Sequence, residues 1–236
     1  MANGYFQFKQ FTIHQQHCAM KVGTDGTLLG TWALASEGEC RILDIGTGTG
    51  LIALMMAQRY SQALVTAIDI DDGAVRQATE NVFASPFAER VNVIKADVLT
   101  FDNHDMYDSI VCNPPFFEDS LTCLDPQRTE ARHTVTLSYR QLMEAVYRLL
   151  KADGRFSVII PSECRARLES EAHLRGFFIS RVCSIQTTPS KAPKRYMIEL
   201  TKQPVNEIDI TNGIIESSPQ IRSEWYRELT KEFYIK

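Results

Sequence analysis

The chain has 236 residues, of which 44% are hydrophobic and 23% charged, with 25 basic and 29 acidic side chains. This length can bury one full domain core, and the composition excludes a disordered or collagen-like chain. The net charge of −4 disfavours a domain that binds nucleic acid over its whole surface, so any polyanion partner should meet local basic patches.

The sequence also argues against export and against a metal site. No stretch reaches the ~18 apolar residues that span a bilayer, and the N-terminus lacks an apolar signal core, so we expect a cytoplasmic protein and no membrane partner. The six cysteines are scattered without a Cys-x-x-Cys pair or a histidine at ligand spacing. We therefore predict reduced thiols with neither a metal nor a disulfide framework. For the oligomeric state we assume a monomer.

The hydrophobic pattern predicts a small N-terminal extension, residues 1–36, followed by one domain, residues 37–236. Tyr5 to Ile13 is predicted to form a short strand or hairpin arm. Thr24 and Asp25 are predicted to cap a helix that runs to Leu34, with an apolar face towards the domain.

From residue 41 onward, strand and helix patterns alternate. The predicted strands are 41–45, 64–70, 91–96, 107–112 and 155–160, and the predicted helices are 51–59, 72–83, 138–150 and 162–175. Two more strands, 177–185 and 196–201, leave no room for a helix and should pair antiparallel. The pattern predicts an α/β fold with a seven-stranded, mostly parallel sheet, helices on both faces and the last strand antiparallel. An amphipathic helix is predicted over 218–234, with Ile221, Trp225, Leu229 and Phe233 on its apolar face.

A glycine-rich turn, running from Asp44 through Gly46 and Gly48 to Gly50, connects the first strand of this alternation to its helix. Glycines permit a tight turn and close ligand approach, and parallel sheets bind ligands at the carboxyl ends of their strands. A nicotinamide dinucleotide would place its pyrophosphate here, where the Asp44 carboxylate would repel it. The same carboxylate suits S-adenosylmethionine, a cationic cofactor that carries an amino acid, so we favour that cofactor over NAD.

Carboxylates also end the next two predicted strands. Asp69 is placed to accept both ribose hydroxyls of an adenosine, and Asp97 to accept a hydrogen bond from the adenine amine. Their neighbours Ile70 and Val98, together with Asn113 after the fourth strand, complete the predicted cofactor site. The ordinary alternative for Asp97 is an aspartate that caps or turns the chain. The two residues that follow Ile70, Asp71 and Asp72, are predicted to cap the next helix.

The tetrapeptide Asn113-Pro114-Pro115-Phe116 follows the fourth strand of the alternation. Consecutive prolines make a stiff turn, and an ordinary strand-ending turn is the simplest interpretation. The catalytic hypothesis is that the Asn113 side-chain oxygen and the Pro114 carbonyl accept the two N–H groups of an exocyclic adenine amine, which aims its lone pair at the sulfonium methyl. Phe116 would then stack on the base once it is turned out.

The order of these motifs resembles that of class I S-adenosylmethionine-dependent methyltransferases, and Asn-Pro-Pro-Phe resembles the signature of those that act on planar amide or amino nitrogens. The resemblance implies a Rossmann-like methyltransferase sheet and three substrate classes: adenine in DNA, adenine in RNA, and the glutamine of protein release factors. RNA is favoured, because neither a helical N-terminal domain nor a DNA-recognition domain is visible. A scaffold that keeps the fold without activity is the non-enzymatic alternative.

The whole chain most closely resembles the bacterial tRNA adenine-N6 methyltransferases that modify the adenine beside the anticodon of valine tRNA. The match lies in Phe6-x-Phe8, Lys21 to Gly30, Asp44 to Gly50, Asn113 to Phe116, Ala131-Arg132-His133 and Lys191 to Arg195. It implies that Thr24 and Asp25 lie near the methionine end of the cofactor. The predicted RNA contacts are Arg132 and His133 in a long polar segment, and Lys191, Lys194 and Arg195 in a Pro-bounded loop whose charges have plain solvation as their alternative.

Overall fold

The computed structural model of the chain describes residues 4–16, 21–102, 106–114 and 137–235. Its strands are β1 (Tyr5–Gln7), β2 (Thr12–His14), β3 (Arg41–Ile45), β4 (Leu64–Asp69), β5 (Val91–Lys95), β6 (Tyr107–Cys112), β7 (Leu150–Pro161), β8 (Phe178–Gln186), β9 (Arg195–Thr201), β10 (Asp209–Ile214), β11 (Glu216–Ser218) and β12 (Ile221–Arg222). Its helices are α1 (Thr24–Trp32), α2 (Leu51–Arg59), α3 (Asp72–Phe83), α4 (Tyr139–Leu149), α5 (Arg165–Arg175) and α6 (Glu224–Thr230), with a 3-10 turn at Ser162–Cys164.

The central sheet has the strand order β10-β8-β9-β7-β6-β3-β4-β5. Strands β3 to β7 pair in parallel, as their short apolar runs predicted, and Leu43 of β3 lies opposite Thr66 of β4 and Ile110 of β6. Helices cover both faces, so the strand interiors are buried. This pairing brings the carboxyl ends of β3, β4, β5, β6 and β7 to one edge of the sheet.

The predicted antiparallel hairpin is confirmed. Strand β9 runs antiparallel to both β7 and β8, and Ile198 lies opposite Val158 and Val182. Arg195, the first residue of β9, pairs with Pro161, the last residue of β7. The loop between β8 and β9 therefore opens at the same edge as the carboxyl ends of the parallel strands.

The sheet has eight strands, one more than predicted. The additional strand, β10, pairs in parallel with β8 at the edge of the sheet. Its first four residues are exposed, and Ile210 is the one apolar residue among them. The sequence therefore shows no alternation of apolar and polar residues that would mark a strand. Backbone pairing holds β10 in place, together with the close approach of Gly213 to the ring of Trp225.

The helix predicted over 218–234 is shorter than expected. The small hairpin of β11 and β12 occupies the beginning of that range, and α6 starts only after Ser223, whose hydroxyl accepts a hydrogen bond from the Tyr226 amide at 3.0 Å. Ile221, predicted on the apolar face, is exposed, whereas Phe233 is buried. The four-residue apolar repeat begins before Ser223, but this serine is the N-cap, so the helix itself begins only after it.

The N-terminal segment packs into the same apolar layer as α2. Phe8, Ile13 and Leu28 lie in one cluster with Met55 of α2. The hairpin β1–β2 is present as predicted. The boundary at residue 36 between an N-terminal extension and the main domain stays a prediction. Helix α1 lies so close to α2 that a Cβ on Gly30 would meet the Met55 sulfur at 2.7 Å.

The start of α1 differs from the prediction. Gly23 is the N-cap and no side chain caps the helix, so Thr24 and Asp25 stand inside its first turn. The capping explanation for these two residues is therefore wrong.

The hairpin also joins the other end of the described chain. Phe8 forms a β-bridge with Tyr234, whose ring stacks on it with centroids 5.7 Å apart, and the Lys9 amide donates to the Phe233 carbonyl at 2.8 Å.

Membrane-spanning helices, metal-binding groups and disulfides are absent from the described residues. No helix in these ranges combines the length and apolar character needed to cross a membrane. No group of three or more histidine, cysteine or acidic side chains within them is arranged to hold a metal ion. The four cysteines described, Cys40, Cys112, Cys164 and Cys183, are free thiols.

We predict that Gly213→Val destabilises the fold by about 1–3 kcal/mol, because the new Cβ would lie 2.3 Å from the Trp225 ring and force it out of contact. The control is Ile210→Val on the same strand, where the side chain is 74% exposed and the change should stay within about 0.5 kcal/mol. Denaturant unfolding of both variants measures the difference. Equal stabilities would show that the Trp225 contact does not hold β10.

Candidate active site

The glycine loop between β3 and α2 wraps over the end of β4. The amides of Gly46 and Thr47 both donate to the Ile68 carbonyl, at 2.9 and 3.0 Å. Gly46, Gly48 and Gly50 have φ of 68°, 57° and 81°, a region that strains residues with a side chain. A Cβ on Gly46 would meet no atom within 4 Å, so the loop leaves open space beside its backbone.

Asp44 lies fully buried beneath this loop. Its Oδ2 atom accepts hydrogen bonds from the Thr47 hydroxyl at 2.6 Å and from the Ala53 amide at 3.1 Å. Its Oδ1 atom is buried and has no donor within hydrogen-bonding distance among the described residues. Burial raises the pKa of Asp44 to about 7, although the bonds from Thr47 and Ala53 act in the opposite direction. The carboxyl group thus keeps one oxygen for a donor that the fold itself does not supply.

Asp69 ends β4 directly beside the loop. Its two carboxylate oxygens accept the Gly48 amide at 2.9 Å and the Asp71 amide at 3.0 Å, and each oxygen keeps a further lone pair. Ile70 is 55% exposed and offers an apolar surface next to this carboxylate. The predicted cap is confirmed at Asp71, whose side chain accepts the Ala74 amide at 2.7 Å.

Asp97 follows β5, next to the end of β4, because the Ala96 amide donates to the Asp69 carbonyl at 2.9 Å. Its own Oδ1 atom accepts the Leu99 amide at 2.9 Å, which makes the turn that the alternative interpretation described. Val98 is buried. One oxygen of Asp97 is thus used by the fold, and no donor among the described residues bonds to the other.

A cavity of about 350 Å³ opens between the glycine loop and the start of α1. It brings together five of the predicted residues: Thr24, Asp25, Gly46, Gly48 and Asn113. A second cavity of similar volume lies at the opposite edge, near Arg41 and Leu64, where the strands begin. The carboxyl edge is where parallel sheets bind ligands, so the first cavity is the candidate site.

Asn113 follows β6 and lines this cavity. Its Oδ1 atom is buried and finds no donor among the described residues, which is a costly arrangement unless a ligand provides one. Pro114 is buried next to it. Three predicted site residues, Phe116, Arg132 and His133, lie outside the described residues.

The basic loop divides into two environments. Lys191 and Lys194 are exposed between β8 and β9, as expected for residues that could meet a polyanion. Arg195 instead turns towards the cavity, and its Nε atom lies 2.8 Å from Oδ2 of Asp25. The sequence placed these two residues in different sites, and the structure joins them.

Asn81 of α3 supports the glycine loop, and the sequence gave no reason to select it. Its side-chain amide donates to the carbonyls of Thr49 at 2.8 Å and His14 at 2.9 Å, and its oxygen accepts the His14 amide at 2.9 Å. It therefore connects the glycine loop to the N-terminal hairpin. A polar residue on the buried face of an amphipathic helix was the available signal.

The sheet order, the glycine loop and the carboxylates at its strand ends define a class I S-adenosylmethionine-dependent methyltransferase. Comparison with known proteins agrees. The family described as "Methyltransferase small domain" matches residues 18–178. Curated tRNA1(Val) (adenine(37)-N6)-methyltransferases are 46% identical in Bacteroides thetaiotaomicron and 47% identical in Phocaeicola vulgatus, each covering 100% of this chain and 99% of the relative. The chain belongs to the family of tRNA1(Val) (adenine(37)-N6)-methyltransferases, whose members it matches over its whole length.

Solved structures show the same fold. A predicted O-methyltransferase from Agrobacterium tumefaciens has a TM-score of 0.69 at 18% identity, covering 89% of this chain and 96% of its own. The glycopeptide N-methyltransferase MtfA in complex with S-adenosylmethionine has a TM-score of 0.56 at 13% identity, covering 78% and 90%. At these identities the likeness concerns the fold alone.

We predict that Asp44→Asn gains stability relative to the unchanged protein as pH rises. The pKa of Asp44 is raised from its ordinary 3.8 to about 7, so the native state holds its proton more tightly than the unfolded state between these values. As pH rises through that window, the unfolded state loses the Asp44 proton while the native state keeps it. The free energy of unfolding therefore falls by about 1.4 kcal/mol per pH unit. Denaturant unfolding of the cofactor-free proteins at about pH 5 and about pH 8 measures the difference. A stability difference that does not change with pH would contradict the raised pKa.

Proposed function

We propose that the protein transfers the methyl group of S-adenosylmethionine to the exocyclic N6 of adenine 37, beside the anticodon of valine tRNA. The names of relatives that are 46% identical over their whole length support this substrate. The observation that carries the proposal in the structure is the buried, unpartnered Oδ1 atom of Asn113 on the wall of the cavity. It is an acceptor in need of an N–H donor, and an adenine amine has two. A tRNA substrate also supports the proposal that the protein works in the cytoplasm.

The residues present fit the cofactor. The open space beside Gly46 and the free Oδ1 atom of Asp44 leave room and an acceptor for its polar groups. We assign Asp69 to the ribose hydroxyls, Asp97 with its remaining oxygen to the adenine amine, and Ile70 and Val98 to the apolar faces of the adenine. Gly48 and Gly50 shape the loop, while Thr24 and Asp25 face the methionine end. When bound, the cofactor supplies an electrophilic methyl group on a sulfonium.

The role of Asn113 and Pro114 is to hold the acceptor nitrogen. Its lone pair is delocalised into the adenine ring, so the free amine is a poor nucleophile. Two oxygen acceptors on its N–H groups, from the Asn113 side chain and the Pro114 carbonyl, move the nitrogen towards sp³ geometry and fix its direction. The same oxygens stabilise the positive charge that develops on the nitrogen during transfer, which is electrostatic catalysis without a covalent intermediate. Phe116 is assigned to stacking on the base.

The RNA path is proposed to cross the loop between β8 and β9. Lys191 and Lys194 are exposed there at the edge that carries the cavity, in a protein whose net charge is otherwise negative. A local patch of this kind contacts phosphates and positions a nucleic acid without reading its sequence. Arg132 and His133 are proposed for the same surface.

The substrate is tested by incubating the protein with a methyl-labelled cofactor and separate pools of tRNA, ribosomal RNA, DNA and protein. We expect label in tRNA as N6-methyladenosine, at position 37 of valine tRNA after fragment mapping. Label in ribosomal RNA, in DNA or on protein glutamine would replace the proposed substrate with that class. Cofactor binding without transfer to any pool would favour a scaffold that retains the fold.

We predict that Asn113→Ala lowers methyl transfer by at least about 100-fold, because the amine loses one of the two oxygens that orient it. Affinity for S-adenosylhomocysteine should change little, since Asn113 is assigned to the acceptor. Single-turnover transfer and calorimetric titration separate the two effects. The control is Asn92→Ala on the exposed side of β5. Retained transfer in the Asn113 variant would remove the proposed clamp.

A further inference from the structure

Among the residues that line the cavity, two carry ionisable side chains: Lys21 and Asp25. One is a cation and the other an anion, and both stand at the start of α1, across the cavity from the glycine loop. The amino-acid end of the proposed cofactor carries an ammonium and a carboxylate group. These two side chains therefore offer charges of both signs to a zwitterion.

The position of Asp25 relative to the sheet supports this match. The adenosine is assigned to Asp69 and Asp97 at the ends of β4 and β5, on one side of β3. Asn113, at the end of β6, lies on the other side of β3, and it shares the cavity with Asp25. Asp69 and Asp97 do not line this cavity, so a ligand whose adenosine lies against them enters it with its other end, and that end reaches the start of α1.

Arg195 holds the Asp25 carboxylate from behind. Its Nε atom lies 2.8 Å from Oδ2 of Asp25, and its Nη1 atom donates to the Lys194 carbonyl at 2.9 Å. The two side chains are only 23% and 29% exposed. Arg195 is itself fixed by the sheet, because it pairs with Pro161 on one side and Ile185 on the other.

Asp25 has no comparable support within its own helix. It stands in the first turn of α1, after an N-cap glycine that makes no side-chain cap, and Arg195 is 170 positions away along the chain. An arginine Nε–H donated to a carboxylate is a charge-assisted bond that selects one rotamer of the acid. With Oδ2 held in this way, Oδ1 of Asp25 keeps a defined direction for a second donor.

We propose that Arg195 is a positioning residue of the cofactor site, which orients Asp25 to receive the ammonium of the cofactor's methionine moiety. This rests on the proposed function in one respect, that the adenosine lies towards β4 and β5. It separates Arg195 from its neighbours Lys191 and Lys194, which remain assigned to RNA. Two adjacent basic residues in one loop thus serve two different ligands.

The test compares two ligands that differ in the amino-acid end alone. S-Adenosylhomocysteine carries it, and 5′-methylthioadenosine lacks it. In calorimetric titrations, we expect Arg195→Gln to lower the affinity for S-adenosylhomocysteine about tenfold and that for methylthioadenosine less than about twofold. The tenfold loss is the size expected when one charge-assisted hydrogen bond is removed. Asp25→Asn should show the same pattern. The double variant should be no weaker than Asp25→Asn, because both changes remove one interaction.

Lys194→Gln is the matched control, with the same loss of one positive charge at the adjacent residue. It should leave both small ligands unchanged and lower tRNA affinity, with a shallower dependence on salt concentration. Arg195→Lys, which keeps the charge but replaces the planar guanidinium, should recover part of the affinity for S-adenosylhomocysteine.

Two results overturn the proposal: unchanged affinity of Arg195→Gln for S-adenosylhomocysteine, or equal weakening of both ligands, which indicates a general loss of structure. Weaker tRNA binding with unchanged S-adenosylhomocysteine binding would return Arg195 to the RNA surface. Failure of the unchanged protein to methylate tRNA would refute the proposed substrate and leave this ligand comparison standing. Failure of the unchanged protein to bind S-adenosylhomocysteine would refute both.

Discussion

The site depends on the parallel pairing of β3 with its two neighbours. Because β4 and β6 run in the same direction as β3, the groups that follow each strand meet at one edge, and residues far apart in the chain become neighbours. Asp44, Asp69 and Asn113 are brought together by this pairing alone, without long loops. A slip of one residue in the register of β4 against β3 would turn the Asp69 side chain to the other face of the sheet, away from the glycine loop.

Burial of polar atoms at this edge adds a second constraint. Asp44 and Asn113 each have an oxygen that is shielded from water and lacks a donor among the described residues. Such atoms reduce stability, since a buried acceptor without a partner forfeits the hydrogen bonds it made with water. Their presence at the edge where ligands bind is consistent with a site whose hydrogen bonds are completed by cofactor and substrate. The apolar layers on both faces of the sheet offset that loss.

Much of the fold was predictable, because buried parallel strands are short apolar runs and amphipathic helices repeat with their own period. Helix α3 was predicted with its observed bounds, and its cap at Asp71 was predicted from the residue type. Strand β10 was missed, because a polar edge strand is held mainly by backbone bonds that leave no periodic pattern. The link from Asp25 to Arg195 was also beyond reach, since it joins residues 170 positions apart whose contact follows from strand order. No local segment of the sequence determines the order of strands in a sheet, because that order depends on pairing between distant segments.

The contacts of the N-terminal hairpin have a consequence for how the protein is made. The hairpin reaches the glycine loop through Asn81, yet Phe8 and Lys9 of the same hairpin bond to Tyr234 and Phe233. During synthesis on the ribosome these last partners emerge long after the sheet-edge carboxylates. The hairpin that contacts the glycine loop therefore gains these bonds only after residues 233 and 234 have been synthesised, and a chain interrupted before them would carry the glycine loop and the strand-end carboxylates without that support.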